Sequence, residues 1–401
     1  MSYYSTQCVN SMKLKEYKPS FYDNFSCIAD KCDFTCCQEW AIGVDDDTLD
    51  KWEELDIPNC CNLPEGKLSE YVVDEAIAID ENLKCPYLNE KGLCNIVLTY
   101  GEETLSHTCH TFPRVTYNYE GRREYTLNLG CKHAVELLFA EEEFMLCKSL
   151  NEAGRDEDEE ISDLPEVAFA IRDFFLECAG DKETDVWKIL KAIFYMSFEL
   201  LEIWDMDSLE ETEIEDYLAS EVFNNVKNVL NDIPDDEYIM VDSFREGNEI
   251  LLDVLTSYYE QEMYMDYIDE IYDAANLLVE TPRREIYEKL IKFKEEVEPE
   301  LMGRFRLILQ NEIYGFILPS EGDELELMIQ KIEWLTMEMV ALRQWLFILW
   351  DKYGKIESDV FNQVVAVLFR ITGFNDDDIF EYIESEFEDS IWDFGYINLI
   401  L

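Results

Sequence analysis

Phe25 to Trp40 reads F-S-C-I-A-D-K-C-D-F-T-C-C-Q-E-W and holds Cys27, Cys32, Cys36 and Cys37. Thiols so closely spaced in the chain give a short loop several soft donors, which is what metal or cluster ligation requires. A buried run of inert cysteines is the bland alternative. It fits poorly with Asp30, Lys31, Asp33, Gln38 and Glu39 interleaved among the thiols, because an apolar core segment is not written that way. Twelve of the thirteen cysteines and all three histidines (His107, His110, His133) precede residue 150, leaving only Cys178 beyond it. The opening M-S-Y-Y-S-T-Q-C-V-N-S-M-K-L-K has no apolar core behind a basic start, so the expected location is the cytoplasm. Thiols kept reduced there read as metal-binding or catalytic rather than as a disulfide framework.

Further thiols follow in order. Cys85-Pro-Tyr-Leu-Asn-Glu-Lys-Gly-Leu-Cys94 brackets a turn that can fold both sulfurs toward one point. Cys109 stands between His107 and His110, which are either ligands or outer partners of a metal site. Val115 to Leu129 alternates around Glu120-Gly121 and predicts a β-hairpin, and Cys131 opens a segment with helical apolar spacing. Asp45 is a predicted cap for a helix through Leu49, Trp52 and Leu55. The eight thiols Cys27, Cys32, Cys36, Cys37, Cys85, Cys94, Cys109 and Cys131 suffice for one four-cysteine centre with some left over, or for two. Zinc and a [4Fe-4S] cluster both accept four thiolates, and spacing does not separate them. No C-x2-C pair and no C-x3-C-x2-C run occurs. Cys36 and Cys37 are adjacent, so one is expected to ligate while the other packs or serves a second position. Neighbouring carboxylates are expected to raise the thiol pKa values unless a cation compensates.

The chain carries 90 acidic against 32 basic residues, a net charge of -58. That balance excludes nucleic acid and anionic membrane surfaces, which demand clustered Lys and Arg, and favours cationic partners. Residues 1–150 hold 13 Lys or Arg and 27 Asp or Glu, a balance of -14, and residues 151–401 hold 19 and 63, a balance of -44. Two domains are expected, 1–150 and 151–401, joined by the charge run Asn151 to Glu160. The second reads as helical throughout, with apolar stripes at Leu164–Ala179, Val186–Trp204, Ile214–Leu230, Ile250–Leu278, Ile286–Val297, Leu301–Leu318, Leu325–Tyr353, Val360–Phe374 and Ile379–Phe387. The expected fold is mainly α, a small cysteine-rich α+β N-terminal domain followed by a large all-helical one. None of the fifteen glycines forms G-x-G, and no Walker A, G-x-S-x-G or H-E-x-x-H sequence occurs.

Four blocks, F-x-C-I-A-D-K-C-D-F-T-C-C-Q-E-W-x-I, C-P-Y-L-N-E-K-G-L-C-N-I, Y-G-E-E-T-L-S-H-T-C-H-T-F-P-R and L-G-C-x-x-A-V-E-L-L, fall in order over roughly residues 21 to 139. Together they resemble the flagellin lysine N-methylase family, within a wider set of proteins with an N-terminal cysteine cluster. Over the helical remainder Gln310-Asn311-Glu312-Ile313-Tyr314 is the nearest recurring element. The resemblance implies methyl transfer from S-adenosylmethionine to lysine side chains of flagellin or another lysine-bearing protein, with an iron-sulfur or zinc centre. It carries the eight cysteines over as the metal set and matches Arg114 to the arginine of the F-P-R turn. Arg114 and Arg304 are the expected partners of the cofactor's carboxylate, and no catalytic base is singled out. The rival is a non-enzymatic protein that chelates iron or zinc.

Overall fold

The computed structural model describes residues 14–151, 161–162, 164, 166–204, 214, 217–230, 236–319, 325–373, 379 and 400–401. It is mainly α, with 13 described helices and a small sheet formed near the N-terminus. Strand β1 (Leu14–Pro19) leads into the cysteine loop, and α1 (Asp46–Glu54) follows it. Asp45 caps α1 as expected, its carboxylate accepting from Thr48 N at 3.0 Å. The short pair β2 (Val72–Val73) and β3 (Ala76–Ile77) precedes α2 (Asn95–Tyr100) and α3 (His107–Thr111). The expected hairpin is β4 (Arg114–Tyr119) and β5 (Arg122–Leu127), turning at Gly121 with φ 68°, a left-handed conformation that glycine adopts without strain. Helix α4 (Lys132–Phe139) starts from Cys131, and β6 (Leu146–Asn151) closes the sheet in the order β4-β5-β1-β6.

Strands β1 and β6 carry no alternating signal in the sequence. Their stability comes from pairing across long separations, β1 parallel to β5 and antiparallel to β6. The expected linker lies outside the described residues except Asn151, which ends β6.

The helices then run α5 (Glu166–Ala179), α6 (Val186–Trp204), α7 (Ser220–Leu230), α8 (Glu237–Glu260), α9 (Met265–Val279), α10 (Arg283–Glu296), α11 (Glu298–Gly315), α12 (Leu325–Tyr353) and α13 (Ser358–Ile371). The expected stripe Ile250–Leu278 is two helices. Glu262 and Tyr264 take left-handed backbone (both φ 56°), and the Tyr264 N–H donates to the Glu39 carboxylate at 2.8 Å instead of continuing a helix. The stripe at Ile379–Phe387 lies outside the described residues apart from Ile379.

Helix α12 is buried on nearly every side from Met328 to Trp350, its apolar residues joined there by buried Gln330, Lys331, Glu333, Thr336, Glu338 and Gln344, which places it at the centre of the fold. It packs against α6, α8, α9, α10, α11 and α13. One core joins these helices to Phe21, Phe25, Phe34, Leu127 and Val135 of the first 150 residues. A second, smaller core of Ile42, Trp52, Leu68, Ile77, Tyr87 and Ile96 lies beneath the cysteine-rich segment. No described helix is long and apolar enough to cross a membrane.

Candidate functional site

Each block of the cysteine-rich segment has a local reason for its shape. In the Cys85 to Cys94 turn, Asn89 Oδ1 accepts from Lys91 N and Leu93 N, and Gly92 takes φ 72°. The Cys85 N–H donates to the Cys37 carbonyl at 2.9 Å, which ties the turn to the first loop. Cys94 precedes the first residue of α2, and Cys131 that of α4. Ser106 caps α3, accepting from Cys109 N at 3.2 Å.

These elements gather the thiols around Cys36. Cys32, Cys94, Cys109 and Cys131 each have Cys36 as an electrostatic neighbour, Cys85 has Cys94 and Cys109, and Cys27 neighbours Cys32. Burial, ahead of neighbouring charge, pushes the Cys85 thiol up to about 12 and those of Cys109 and Cys131 to about 11. Cys32 and Cys94 rise for the same reason. Cys36 is held well above the ordinary thiol range by its hydrogen bond with the Cys37 thiol and then by burial. The set is gathered but not converged. Among the described residues no three His, Cys, Asp or Glu side chains stand in a geometry that holds a metal ion. His107 and His110 are exposed.

Two features of this region had no signal in the block spacing. Cys61 joins the Cys85 and Cys94 side, its sulfur accepting from Asn95 Nδ2 at 3.4 Å, with Cys60 beside it. The helices also grip the loop. Arg370 of α13 donates to the Gly130 carbonyl at 2.7 and 2.9 Å, to Thr35 O at 2.8 Å and to Phe34 O at 3.4 Å. Lys132, itself buried, bridges Asp33 of the loop at 2.6 Å and Asp359 of α13 at 3.0 Å. Phe34 is 1% exposed, its ring 5.2 Å from that of Tyr267.

The arginines proposed for a cofactor both have partners in the fold. Arg114 donates to Phe25 O at 2.8 Å and lies 4.8 Å from the Phe25 ring centroid. Arg304 donates to Ser358 Oγ at 2.6 Å and lies against the rings of Phe139 and Phe361. Arg306, the other cation of α11, donates to the carbonyl of Ala179, the last residue of α5, and to those of Asp181 and Thr184 beyond it.

The Q-N-E-I-Y element of α11 spans two polar regions. Gln310 lines a cleft of about 380 Å³ between the sheet and α5. Asn311 is buried and Glu312 partly so; Asn311 donates to Glu312 at 2.9 Å, and desolvation raises the Glu312 carboxyl to about 7. Glu338 of α12, which has Glu312 as a charged neighbour, is held well above the carboxylate range by burial and accepts from Thr372 Oγ1. Glu333 is fully buried, neither oxygen hydrogen-bonded among the described residues, and burial takes it to about 9. Near the cleft, Arg172 makes a buried bidentate pair with Glu124 at 2.8 and 2.9 Å and donates to the Tyr314 carbonyl at 2.9 Å.

A cysteine-rich α+β segment seated on a helical body defines the class of this chain. Over 127 residues it is 29% identical to the flagellar biosynthetic protein FliU of Salmonella muenchen, covering 28% of this chain and 70% of that protein. It is also 29% identical over 127 residues to proteins named lysine-N-methylase from Salmonella choleraesuis and Salmonella typhimurium, covering 28% of this chain and 30% of each. The resemblance to the flagellin lysine N-methylase family is borne out by these matches, although the chain spans less than a third of the length of the lysine-N-methylases. No protein-family model and no solved structure matches it.

Proposed function

We propose that this chain is a protein-lysine N-methyltransferase that takes methyl from S-adenosylmethionine, acts on flagellin or another lysine-bearing protein, and holds a cysteine-ligated metal or iron-sulfur centre. The observation that carries the reading is the similarity to proteins named lysine-N-methylase, together with the cysteine blocks of this chain.

The donor chemistry fits a thiolate centre, with Cys36 and its neighbours Cys32, Cys94, Cys109 and Cys131 as the inner set and Cys27, Cys37 and Cys85 around it. When bound, a metal or cluster supplies the positive charge that stabilises thiolates and ties the loop to α2, α3 and α4. Its entry would release the protons that burial keeps on the sulfurs and draw the gathered thiols together.

The charge of -58 attracts a cationic lysine and a cationic sulfonium to the same surface. The same field stabilises the lysine ammonium, which cannot attack, so the receiving pocket must take the proton on a carboxylate or tyrosine or lower the lysine pKa with apolar walls. The neutral nitrogen then forms its bond to the methyl carbon as the carbon–sulfur bond breaks. The electron pair stays on sulfur, and the substituted ammonium gives up its proton to regain a neutral amine.

Calorimetry with S-adenosylmethionine on anaerobic, metal-replete protein tests the reading, followed by mass spectrometry of lysine-bearing partners for methyl increments. Donor binding with lysine methylation supports it. Metal retention with no donor binding supports the metal-holding rival, which the missing G-x-G loop favours.

A further inference from the structure

The cleft between the sheet and α5 presents both charge signs on an aromatic floor. Its lining includes Tyr17 of β1, Arg122 of β5, Phe144, Lys148 of β6, Glu177 of α5 and Gln310 of α11. Arg122 is committed, pairing with Glu124 and lying 3.8 Å from Asp173, with its guanidinium 4.2 Å from the Tyr17 ring centroid. Lys148 and Glu177 are not. The Lys148 ammonium lies 5.2 Å from the Tyr17 ring, and among the described residues no carboxylate pairs with it and no cation pairs with Glu177. The two face one cleft without bonding each other, although in so acidic a chain a free ammonium has every electrostatic reason to find a carboxylate.

A space flanked by an uncommitted ammonium and an uncommitted carboxylate matches a zwitterion. A ligand carboxylate completes the charge-assisted bond of Lys148, a ligand ammonium that of Glu177, and the Tyr17 and Phe144 rings accept a flat heteroaromatic body. Gln310 adds an amide that both donates and accepts, and at 9% exposure it is held in place by its surroundings. We infer that this cleft binds the α-amino-acid headgroup of the methyl donor, with Lys148 on its carboxylate and Glu177 on its ammonium. This inference rests on the methyl-donor reading above, and neither Arg114 nor Arg304 lines the cleft.

Calorimetric titration of the full chain with S-adenosylhomocysteine, and separately with 5′-methylthioadenosine, which lacks the headgroup, tests it. Lys148 and Glu177 are exposed, so Lys148→Ala and Glu177→Gln leave the core untouched. Each is expected to weaken S-adenosylhomocysteine binding about tenfold or more while leaving methylthioadenosine binding unchanged, with Lys148→Glu weaker still. Variants that bind S-adenosylhomocysteine like the wild type overturn the cleft assignment and leave the methyl-donor reading standing. Equal weakening of both ligands overturns the headgroup assignment. A wild-type protein that binds neither overturns the inference and the methyl-donor reading together.

Discussion

The guanidinium carbon of Arg370 lies 3.6 Å from the centroid of the Phe34 ring, 336 residues earlier in the chain. It stacks on that ring while donating to three carbonyls, those of Phe34, Thr35 and Gly130. The planar fork of arginine suits this double task, whereas a lysine presents one compact charge. The last turn of α13 therefore fixes the loop that carries Cys32 and Cys36 and the carbonyl just before Cys131.

Arg370→Ala is expected to destabilise the fold by about 2–4 kcal/mol, since it leaves partly buried carbonyls unpaired. Arg370→Lys should recover only part of that. Urea unfolding measures the loss, and reaction with a thiol reagent under native conditions should become faster at Cys36 and Cys131. Unchanged thiol reactivity would show that the loop holds its shape without the clamp.

The pair of Arg172 and Glu124 is at 0% and 1% side-chain exposure. Removing one partner leaves the other with a single remaining ion pair, Glu124 with Arg122 or Arg172 with Asp173, and with buried hydrogen-bonding capacity unmet, so Glu124→Gln or Arg172→Met should cost about 1–3 kcal/mol. The double variant Glu124→Gln with Arg172→Met should cost less than the sum of the two. A denaturant-based double-mutant cycle reads this coupling, and simple additivity would contradict it.

Several of these elements are legible in the sequence and others are not, for physical reasons. The Asp45 cap, the hairpin at Gly121, α4 behind Cys131 and the stripes of α6 and α12 are written in residues near one another, so propensity and period reveal them. Strands β1 and β6 are stabilised by partners more than a hundred residues away and leave no local pattern. The break between α8 and α9 depends on Glu39 accepting from Tyr264, 225 residues apart. The cysteine blocks announce the thiol set, but Arg370 lies in an ordinary amphipathic stripe, and its contact with Gly130 spans 240 residues. Cys61 joins the set through Asn95, which spacing does not foretell.

The interior carboxyls set a pH dependence of known sign. Burial raises Glu312 to about 7 and Glu333 to about 9, whereas in the unfolded chain such groups titrate near 4.3. Between those values the folded protein holds protons that the unfolded chain has released. Stability from this source is full below about pH 4 and declines as pH rises toward 9, with a slope of about 1.4 kcal/mol per pH unit for each proton held. Urea midpoints taken from pH 5 to 9 should fall, and Glu333→Gln should flatten the upper part of the curve. An identical profile for that variant would contradict the assignment.

Self-repulsion among the acidic helices adds to this. Residues 151–401 carry a balance of -44, and screening shortens the reach of that repulsion to about 10 Å at 0.1 M salt. The melting temperature should therefore rise between low salt and about 0.5 M sodium chloride. A melting temperature indifferent to salt would show the charges to be locally compensated.

The most direct measurement is peptide mass spectrometry on flagellin, or another lysine-bearing protein, after incubation with S-adenosylmethionine and the anaerobically prepared, metal-replete full chain. The account predicts methyl increments on lysine side chains that vanish when the methyl donor is left out. Unmodified lysines, with the metal retained and the protein folded, would contradict it and leave a thiol-rich protein that holds metal without transferring methyl groups.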